Sequence, residues 1–255
     1  MGMGRSIYEE HKAVRELYEE ANDILGYNLR KICFDGPLDK LSQMRYSQPA
    51  IFTVSIAAYR FLQDVAEITP AFVCGHSLGE YAALTVSGGF RFCDALEVLK
   101  IRGALLQKAG SEYDATMIAV NKVGTAVIME ECKRINDMGG AVYIAVYNSE
   151  MQHVVSGKRS DIQELEKRLA GTAAEVSNLL IDTPSHCPLM QPAATVFLRE
   201  LERFTCGMPG LPVISNVTAR PYAGADDIFP MLAEHMVRPV RWLDTVRYLE
   251  QQQVS

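Results

Sequence analysis

One short run of this sequence, Gly75-His76-Ser77-Leu78-Gly79, has the residue types and spacing of a serine nucleophile. It fits the G-x-S-x-G pattern, in which a strand turns abruptly into a helix and exposes the serine hydroxyl. An apolar run, 71–74, precedes the motif, and an apolar stretch, 78–86, follows it at helical spacing. The turn is expected to be too tight for side chains beside the serine, which would explain both glycines. The helix that starts here would also offer N–H groups to an oxyanion.

A serine nucleophile needs a base, and His186 is the candidate. The sequence offers five histidines: His11, His76, His153, His186 and His235. His11 falls on a predicted solvated helix, His153 starts a predicted strand, and His76 is better placed to line the pocket than to take the proton. His186 lies in a loop, in the run Pro184-Ser185-His186-Cys187-Pro188. Asp182 could be a third triad member, but from four positions away it need not reach the ring, and no triad is predicted.

Composition and charge exclude several other functions. The 255 residues include 25 Lys and Arg against 31 Asp and Glu, a net charge of −6, without the basic footprint of a general nucleic-acid binder. No apolar run reaches the roughly 20 residues that span a bilayer, and no signal-peptide pattern is present, so we expect a cytoplasmic protein without a membrane partner. The cysteines fit neither a zinc site nor a disulfide framework, and we expect reduced thiols: Cys33, Cys74, Cys93, Cys132, Cys187 and Cys206.

The predicted order of helices and strands differs between the middle of the chain and its two ends. Strands are predicted at 71–74 and 212–216, and helices at 6–26 (with a Ser6/Glu9 capping box), 49–62, 78–86, 94–108, 189–201 and 227–236. The middle of the chain predicts strand, helix, strand, strand, helix, strand at 116–120, 125–136, 142–147, 152–156, 161–169 and 175–181. That order is ferredoxin-like. We therefore expect a large α/β subdomain at 1–113 and 184–255 and a small ferredoxin-like subdomain at 114–183.

Several motifs, in order along nearly the whole chain, resemble one family. They are Gln48-Pro49-Ala50, Gly75-His76-Ser77-Leu78-Gly79-Glu80, Arg102-Gly103, Asn148-Ser149 with Val155-Ser156-Gly157, Pro184-Ser185-His186, Asn216-Val217 and Pro239-Val240-Arg241-Trp242. The family is that of the malonyl-CoA:acyl carrier protein transacylases, including the acyltransferases of polyketide synthases. Several motifs in the right order are more specific than any single one.

The resemblance implies an α/β fold, with an α/β-hydrolase-like parallel sheet and an inserted ferredoxin-like subdomain. It implies that Ser77 is acylated, that His186 is the base, and that a main-chain carbonyl near His235 holds the other ring nitrogen. The Leu78 N–H would form part of the oxyanion hole. The implied reaction is ping-pong transfer of a malonyl group from malonyl-CoA to the phosphopantetheine thiol of an acyl carrier protein, in fatty-acid or polyketide synthesis. We expect a monomer that needs no metal or other cofactor.

Substrate choice is assigned to Arg102, whose planar guanidinium can bind a malonyl carboxylate through two hydrogen bonds. Leu78, where many methylmalonyl-selective relatives have Gln, favours plain malonyl, whereas the small Ser185 leaves room for a branch. Three further residues match family positions near the pocket: Gln48, Asn148 and Asn216. From its own surroundings, Asn148 could equally cap a short turn.

The sequence departs from the family at both ends. Family members begin with an apolar strand and a Phe-Pro-Gly-Gln-Gly-type turn that donates the second oxyanion N–H, whereas this sequence starts at the matching Gly2-Met3-Gly4. It ends soon after Tyr248-Leu249, where the family continues, so we expect the large subdomain to be trimmed. Two alternatives stay open: an acyl hydrolase that clears carrier proteins, and a truncated, non-catalytic module that binds them. The Arg102 cation argues against a hydrolase for neutral acyl chains.

Overall fold

The computed structural model describes residues 1–179 and 181–253, which divide into two compact units. The first unit comprises Met1–Ala104, Glu200–Ile214 and Pro221–Ile228, and the second comprises Leu105–Arg199, Ser215–Arg220 and Phe229–Ser255. The predicted subdomain boundaries, 113/114 and 183/184, stay a prediction. Residue 180 of the predicted strand 175–181 and residues 254–255 of the predicted large subdomain lie outside the described residues.

The first unit is built mainly from helices. They are α1 (Arg5–Glu10), α2 (Lys12–Leu25), α3 (Leu29–Asp35), α4 (Leu38–Leu41), α5 (Met44–Val65) and α6 (Gly79–Val86), and α7 (Phe92–Tyr113) starts here and continues into the second unit. Helix α2 packs against α5. Its buried residues recur every three or four positions, the pattern of one apolar helix face: Val14, Leu17, Tyr18, Ala21 and Leu25.

The prediction of one helix over 6–26 is wrong, because the chain leaves the helical conformation at His11 (φ −116°, ψ 124°). The Arg15 guanidinium explains the break. It donates hydrogen bonds to the carbonyls of Tyr8 (3.1 Å) and Glu9 (2.9 Å), which lie in the last turn of α1 where helical partners are missing. Helix α1 also has Gly4 at its N-cap, so the predicted capping box does not form.

Helix α5 begins at Met44, whereas the sequence predicts a start at Pro49. Proline has no N–H to donate to the carbonyl four residues earlier and is best tolerated in the first turn of a helix. Pro49 nevertheless lies inside α5, which continues for 16 residues beyond it to Val65. The earlier start places Gln48 on the helix, where it can contact α7.

The predicted strands 71–74 and 212–216 lie side by side in parallel, and the predicted α/β fold class is confirmed. Val73 and Val213 form a parallel bridge, with hydrogen bonds of 3.0 Å from Val73 N to the Pro212 carbonyl and from Ile214 N to the Val73 carbonyl. Within this unit, the bridge is the only parallel pairing in the part of the chain that the structure describes. A local apolar run marks a strand but does not specify how far its neighbours pair with it.

The second unit contains the ferredoxin-like order that the sequence predicts. Its elements are β1 (Ala115–Asn121), α8 (Thr125–Asp137), β2 (Val142–Ser149), β3 (Gln152–Lys158), α9 (Arg159–Leu169) and β4 (Glu175–Asn178). The strands form an antiparallel sheet in the order β2-β3-β1-β4. Alternate residues of β1 enter different cores: Ile118 and Val120 pack with residues of α8 and α9, and Met117 packs with Val240 and Trp242.

Three more helices follow: α10 (Gln191–Leu201), α11 (Ile228–Glu234) and α12 (Trp242–Gln251). Between the last two, Val240 pairs in parallel with Val146 of β2. Two hydrogen bonds of 2.9 Å hold it there, from Val240 N to the Ala145 carbonyl and from Tyr147 N to the Val240 carbonyl. Among the described residues, no helix of either unit is long and apolar enough to cross a membrane.

Candidate active site

Ser77 lies at a tight turn between the bridged Val73 and α6. Its φ of 53° is in the left-handed region, which is uncommon for a residue other than glycine. Two main-chain hydrogen bonds close the turn, from Gly79 N to the His76 carbonyl (3.0 Å) and from Glu80 N to the Ser77 carbonyl (3.1 Å). Leu78 is the N-cap of α6, so its N–H lies at the positive end of the helix dipole. This is the strand–turn–helix geometry that the motif predicts.

The two glycines of the motif differ in their steric role. A Cβ atom on Gly75 would lie 2.1 Å from the carbonyl carbon and oxygen of Gly79, so the turn requires glycine there. A Cβ atom on Gly79 would meet nothing within 4 Å. The expectation that the turn excludes side chains at both positions is therefore wrong for Gly79.

The Arg102 guanidinium lies next to the serine, within the first unit. Its Nη1 donates to Gln48 Oε1 (2.6 Å), and its Nη2 makes a longer contact with Ser77 Oγ (3.5 Å). Its Cζ lies 5.7 Å from the centre of the Tyr81 ring. Only 1% of Arg102 is exposed, and burial lowers the pKa of Arg102, an effect that Tyr81 and Glu80 oppose. The guanidinium thus contacts the neutral groups of Gln48, Ser77 and Tyr81, while the charge of Glu80 also acts on it.

Close packing of two helices brings Arg102 to Gln48. A Cβ atom on Gly103 would lie 2.5 Å from the carbonyl oxygen of Met44, in the first turn of α5. Only glycine lets α7 approach that turn so closely. Arg102 and Gly103 therefore act together: the glycine lets the two helices pack closely, and the arginine can then reach Gln48.

Glu80 and Tyr222 form a buried pair that sequence reasoning missed. Glu80 is 1% exposed, and its Oε1 accepts a hydrogen bond of 2.5 Å from the Tyr222 hydroxyl. A signal was present, because Glu80 stands immediately before the apolar run 81–84 on a helix that buries those residues. A buried carboxylate needs hydrogen-bond donors, but the sequence does not indicate which residue supplies them.

A main-chain carbonyl of the second unit accepts a hydrogen bond from the His186 ring. The φ of His186 is 59°, the residue is 4% exposed, and its Nδ1 lies 2.8 Å from the carbonyl oxygen of His235. A carbonyl can only accept, so Nδ1 carries the proton in this hydrogen bond and Nε2 is left as the basic nitrogen. The carbonyl is the one that the resemblance implied.

Asp182 does not form part of this arrangement. Its side chain is 72% exposed and accepts a hydrogen bond from Arg159 (2.9 Å). Asp182 therefore forms an ion pair at the surface, and the base without a carboxylate partner stays a prediction. No group of three or more His, Cys, Asp or Glu residues in the described ranges could hold a metal ion.

Two of the four remaining predicted residues are buried. Ser185 is buried, with its hydroxyl 2.8 Å from that of Thr183. Asn216 is 2% exposed, and its carbonyl accepts a hydrogen bond from Arg241 N (3.0 Å).

The last two are more open. His76 is exposed beside the serine. Asn148 lies at a register shift of β2, between Tyr147 and Ser149. In the turn that follows, the Ser149 hydroxyl accepts a hydrogen bond from Met151 N (3.2 Å). Ser149 thus caps this turn, which is the role that the sequence also allows for Asn148. The structure therefore brings together Ser77, Arg102 and Gln48 in one unit, and His186 with the His235 carbonyl in the other.

A family model described as the acyl transferase domain matches residues 1–253. The chain belongs to the acyl transferase domain family. A malonyl CoA-acyl carrier protein transacylase of Bacillus subtilis is 35% identical over 249 residues, which are 98% of this chain and 62% of that protein. The polyketide biosynthesis protein ThaF of Burkholderia thailandensis is 36% identical over 256 residues, 100% of this chain and 21% of that protein. This acyl transferase chain thus spans less than two thirds of either relative.

Solved structures of acyl transferases agree with the fold. A malonyl-transacylase in complex with a type II polyketide synthase acyl-carrier protein superposes with a TM-score of 0.95 at 31% identity, covering 100% of this chain and 82% of that chain. The resemblance to malonyl-CoA:acyl carrier protein transacylases, including those of polyketide synthesis, is confirmed.

Proposed function

We propose that this acyl transferase moves a malonyl group from malonyl-CoA to the phosphopantetheine thiol of an acyl carrier protein, through a malonyl ester of Ser77. One observation carries the choice of malonyl: the buried Arg102 guanidinium lies 3.5 Å from Ser77 Oγ and donates a hydrogen bond to the neutral side chain of Gln48. A buried cation is costly without an anionic partner. The free carboxylate of a malonyl group would supply that partner, whereas an acetyl group would not.

In the proposed reaction, His186 Nε2 takes the hydroxyl proton of Ser77 while Oγ attacks the thioester carbonyl carbon. The Leu78 N–H stabilises the oxyanion. The carbon–sulfur bond then breaks, and the CoA sulfur takes from His186 the proton that came from Ser77, so that CoA leaves as a thiol and Nε2 can act as a base again. In the second half, His186 deprotonates the phosphopantetheine thiol, whose sulfur attacks the malonyl ester and releases Ser77 Oγ, which regains a proton. The Nδ1 hydrogen bond to the His235 carbonyl keeps Nε2 as the base throughout.

Intact-mass analysis tests the covalent step. After mixing with malonyl-CoA, the wild-type chain should gain one malonyl group, and Ser77→Ala should gain none. An adduct on Ser77→Ala would show that the nucleophile is a different residue. A wild-type chain that binds carrier protein but never gains the adduct would instead be a non-catalytic module. Release of free malonate faster than carrier loading would identify a hydrolase.

Substrate competition tests the role of Arg102. With malonyl-CoA and acetyl-CoA together, wild type should load malonyl almost exclusively, whereas Arg102→Ala should lose malonyl loading at least tenfold and keep or gain acetyl loading. Arg91→Ala is the matched control, because Arg91 is an exposed arginine paired with Asp94 at the start of α7. An unchanged preference in Arg102→Ala would exclude the carboxylate-binding role.

The remaining expectations are part of the same proposal. The carrier protein as acceptor is supported by the similar malonyl-transacylase that was solved with its acyl-carrier protein. The serine–histidine mechanism uses no metal or redox cofactor. A cytoplasmic location is supported by cysteines that are free thiols throughout the described residues, because disulfides are rare in reducing compartments.

A further inference from the structure

The imidazole of His235 contacts the proposed base in addition to the carbonyl of the same residue. The ring centres of His186 and His235 are 4.7 Å apart, and their planes are inclined by 35°. Both residues are almost completely buried, with 4% and 1% exposed. The His186 ring is therefore touched at its Nδ1 edge by the His235 carbonyl and on its face by the His235 side chain.

The local structure explains how one residue makes both contacts. His235 directly follows α11, and its N–H completes a helical hydrogen bond to the Met231 carbonyl (2.8 Å). Carbonyls at the end of a helix have no helical partner, so that of His235 can accept from His186. Downstream, Val240 is anchored on β2 and Arg241 N bonds to the Asn216 carbonyl, which fixes the segment that carries His235.

We propose that the His235 side chain is a positioning residue for His186, an inference that rests on the proposed function. A hydrogen bond at Nδ1 does not by itself fix the rotation of an imidazole about the Nδ1···O axis, whereas a second ring 4.7 Å away restricts that rotation and holds Nε2 in the direction of proton transfer. Every substitution of His235 keeps the main-chain carbonyl, whereas alanine or glutamine removes the ring. The two contacts can therefore be separated by mutation.

Three variants measure the contribution of the ring. In His235→Ala, we expect the first-order rate of malonyl-Ser77 formation to fall about tenfold, with KM for malonyl-CoA changed less than about twofold. In His235→Phe, which keeps a planar ring, the rate should return to within about threefold of wild type. His235→Gln, with a side chain but no ring, should behave like His235→Ala and replaces it if the alanine variant does not fold. His11→Ala is the control, because it removes another histidine with an aromatic contact, to Phe61 at 4.5 Å.

A double mutant distinguishes positioning from a general structural role. If His235 acts through His186, adding His235→Ala to His186→Ala should cause no further loss of rate. A further loss in that background, a wild-type rate in His235→Ala, or equal rates in His235→Phe and His235→Ala would each overturn the proposal.

A readout without catalysis separates this inference from the proposed function. In the proton NMR spectrum, the His186 Nδ1–H should exchange with solvent about tenfold faster in His235→Ala than in wild type, and at nearly the wild-type rate in His235→Phe. A wild-type chain that malonyl-CoA never acylates contradicts the proposed function, while unchanged exchange in His235→Ala contradicts the positioning role.

Discussion

Ser77 and His186 have almost the same left-handed φ, 53° and 59°, but the contacts that position the two residues differ in how far they reach along the chain. At Ser77, they come from neighbours in sequence: hydrogen bonds between residues 76 and 79 and between residues 77 and 80 close the turn, and Gly75 makes room for it. At His186, the ring donates a hydrogen bond to the carbonyl of His235, 49 residues further along the chain.

This difference predicts which substitutions should disturb each of the two residues. Strained backbone persists only where the surroundings determine it strongly, and it is frequent at functional sites. The serine turn is determined by about five consecutive residues, so substitutions that damage it should lie within that run. The position of the histidine ring depends on a distant segment, so substitutions far away in sequence should affect it.

Loss of the base should have the largest effect. We expect His186→Ala to slow malonyl-Ser77 formation by about a hundredfold or more, as removal of a general base does. A time course of intact mass after mixing with malonyl-CoA measures this rate. Asp182→Asn is the control and should keep the wild-type rate, because Asp182 is exposed and pairs with Arg159. A large loss in Asp182→Asn would indicate a triad in place of the predicted pair.

The same contrast between local and distant contacts explains what could be predicted from the sequence. Ser77 and its turn follow from a local motif, and the strands and helices of the ferredoxin-like subdomain follow from local periodicity, so their bounds agree with the structure within a few residues. The break at His11 and the start of α5 at Met44 were not predictable in this way. They depend on Arg15 reaching back to two carbonyls and on α7 packing at Gly103.

The glycines at the serine turn should differ in their effect on stability. In Gly75→Ala, the new Cβ would collide with the backbone of Gly79, and we expect the free energy of unfolding to fall by about 2–3 kcal/mol. Gly79→Ala should be neutral or stabilising by up to about 1 kcal/mol, because its Cβ meets open space and alanine favours the helix. Urea unfolding of both variants measures the difference. Equal destabilisation would contradict the local steric account.

Contacts between distant residues also escape prediction when both partners look ordinary. Glu80 and Tyr222 are 142 residues apart, and neither belongs to a pattern that indicates the other. The same holds for the His235 side chain, which the resemblance linked to the base only through a main-chain carbonyl near it. Motifs identify the reacting groups, whereas the residues that support them are determined by the tertiary structure.

Tyr222→Phe should reveal the contribution of the buried carboxylate. Removing the hydroxyl takes a hydrogen-bond donor from Glu80, and we expect a loss of about 1–2 kcal/mol in the free energy of unfolding. Tyr59→Phe removes a hydroxyl that accepts a hydrogen bond from Gln63 at the surface and should change stability by less than about 0.5 kcal/mol. If the two variants are equally stable, Glu80 does not depend on Tyr222.

The smallest expected effect is a dependence of stability on pH from His153 in the second unit. This residue is fully buried on β3, with Nε2 2.8 Å from the Thr125 hydroxyl, and burial lowers the pKa of His153, with Glu150 opposing the shift. Below about pH 6.5, the ordinary pKa of histidine, the unfolded chain binds a proton at this position more readily than the folded chain does. Stability should therefore fall as the pH drops through that value and recover above it.

Urea unfolding at pH 7.5 and 5.5 measures this effect as the difference between the two free energies of unfolding. The difference should be smaller for His153→Gln than for wild type, whereas His11→Gln, a half-buried control, should keep the wild-type difference. An unchanged difference in His153→Gln would mean that the pH dependence arises at another group.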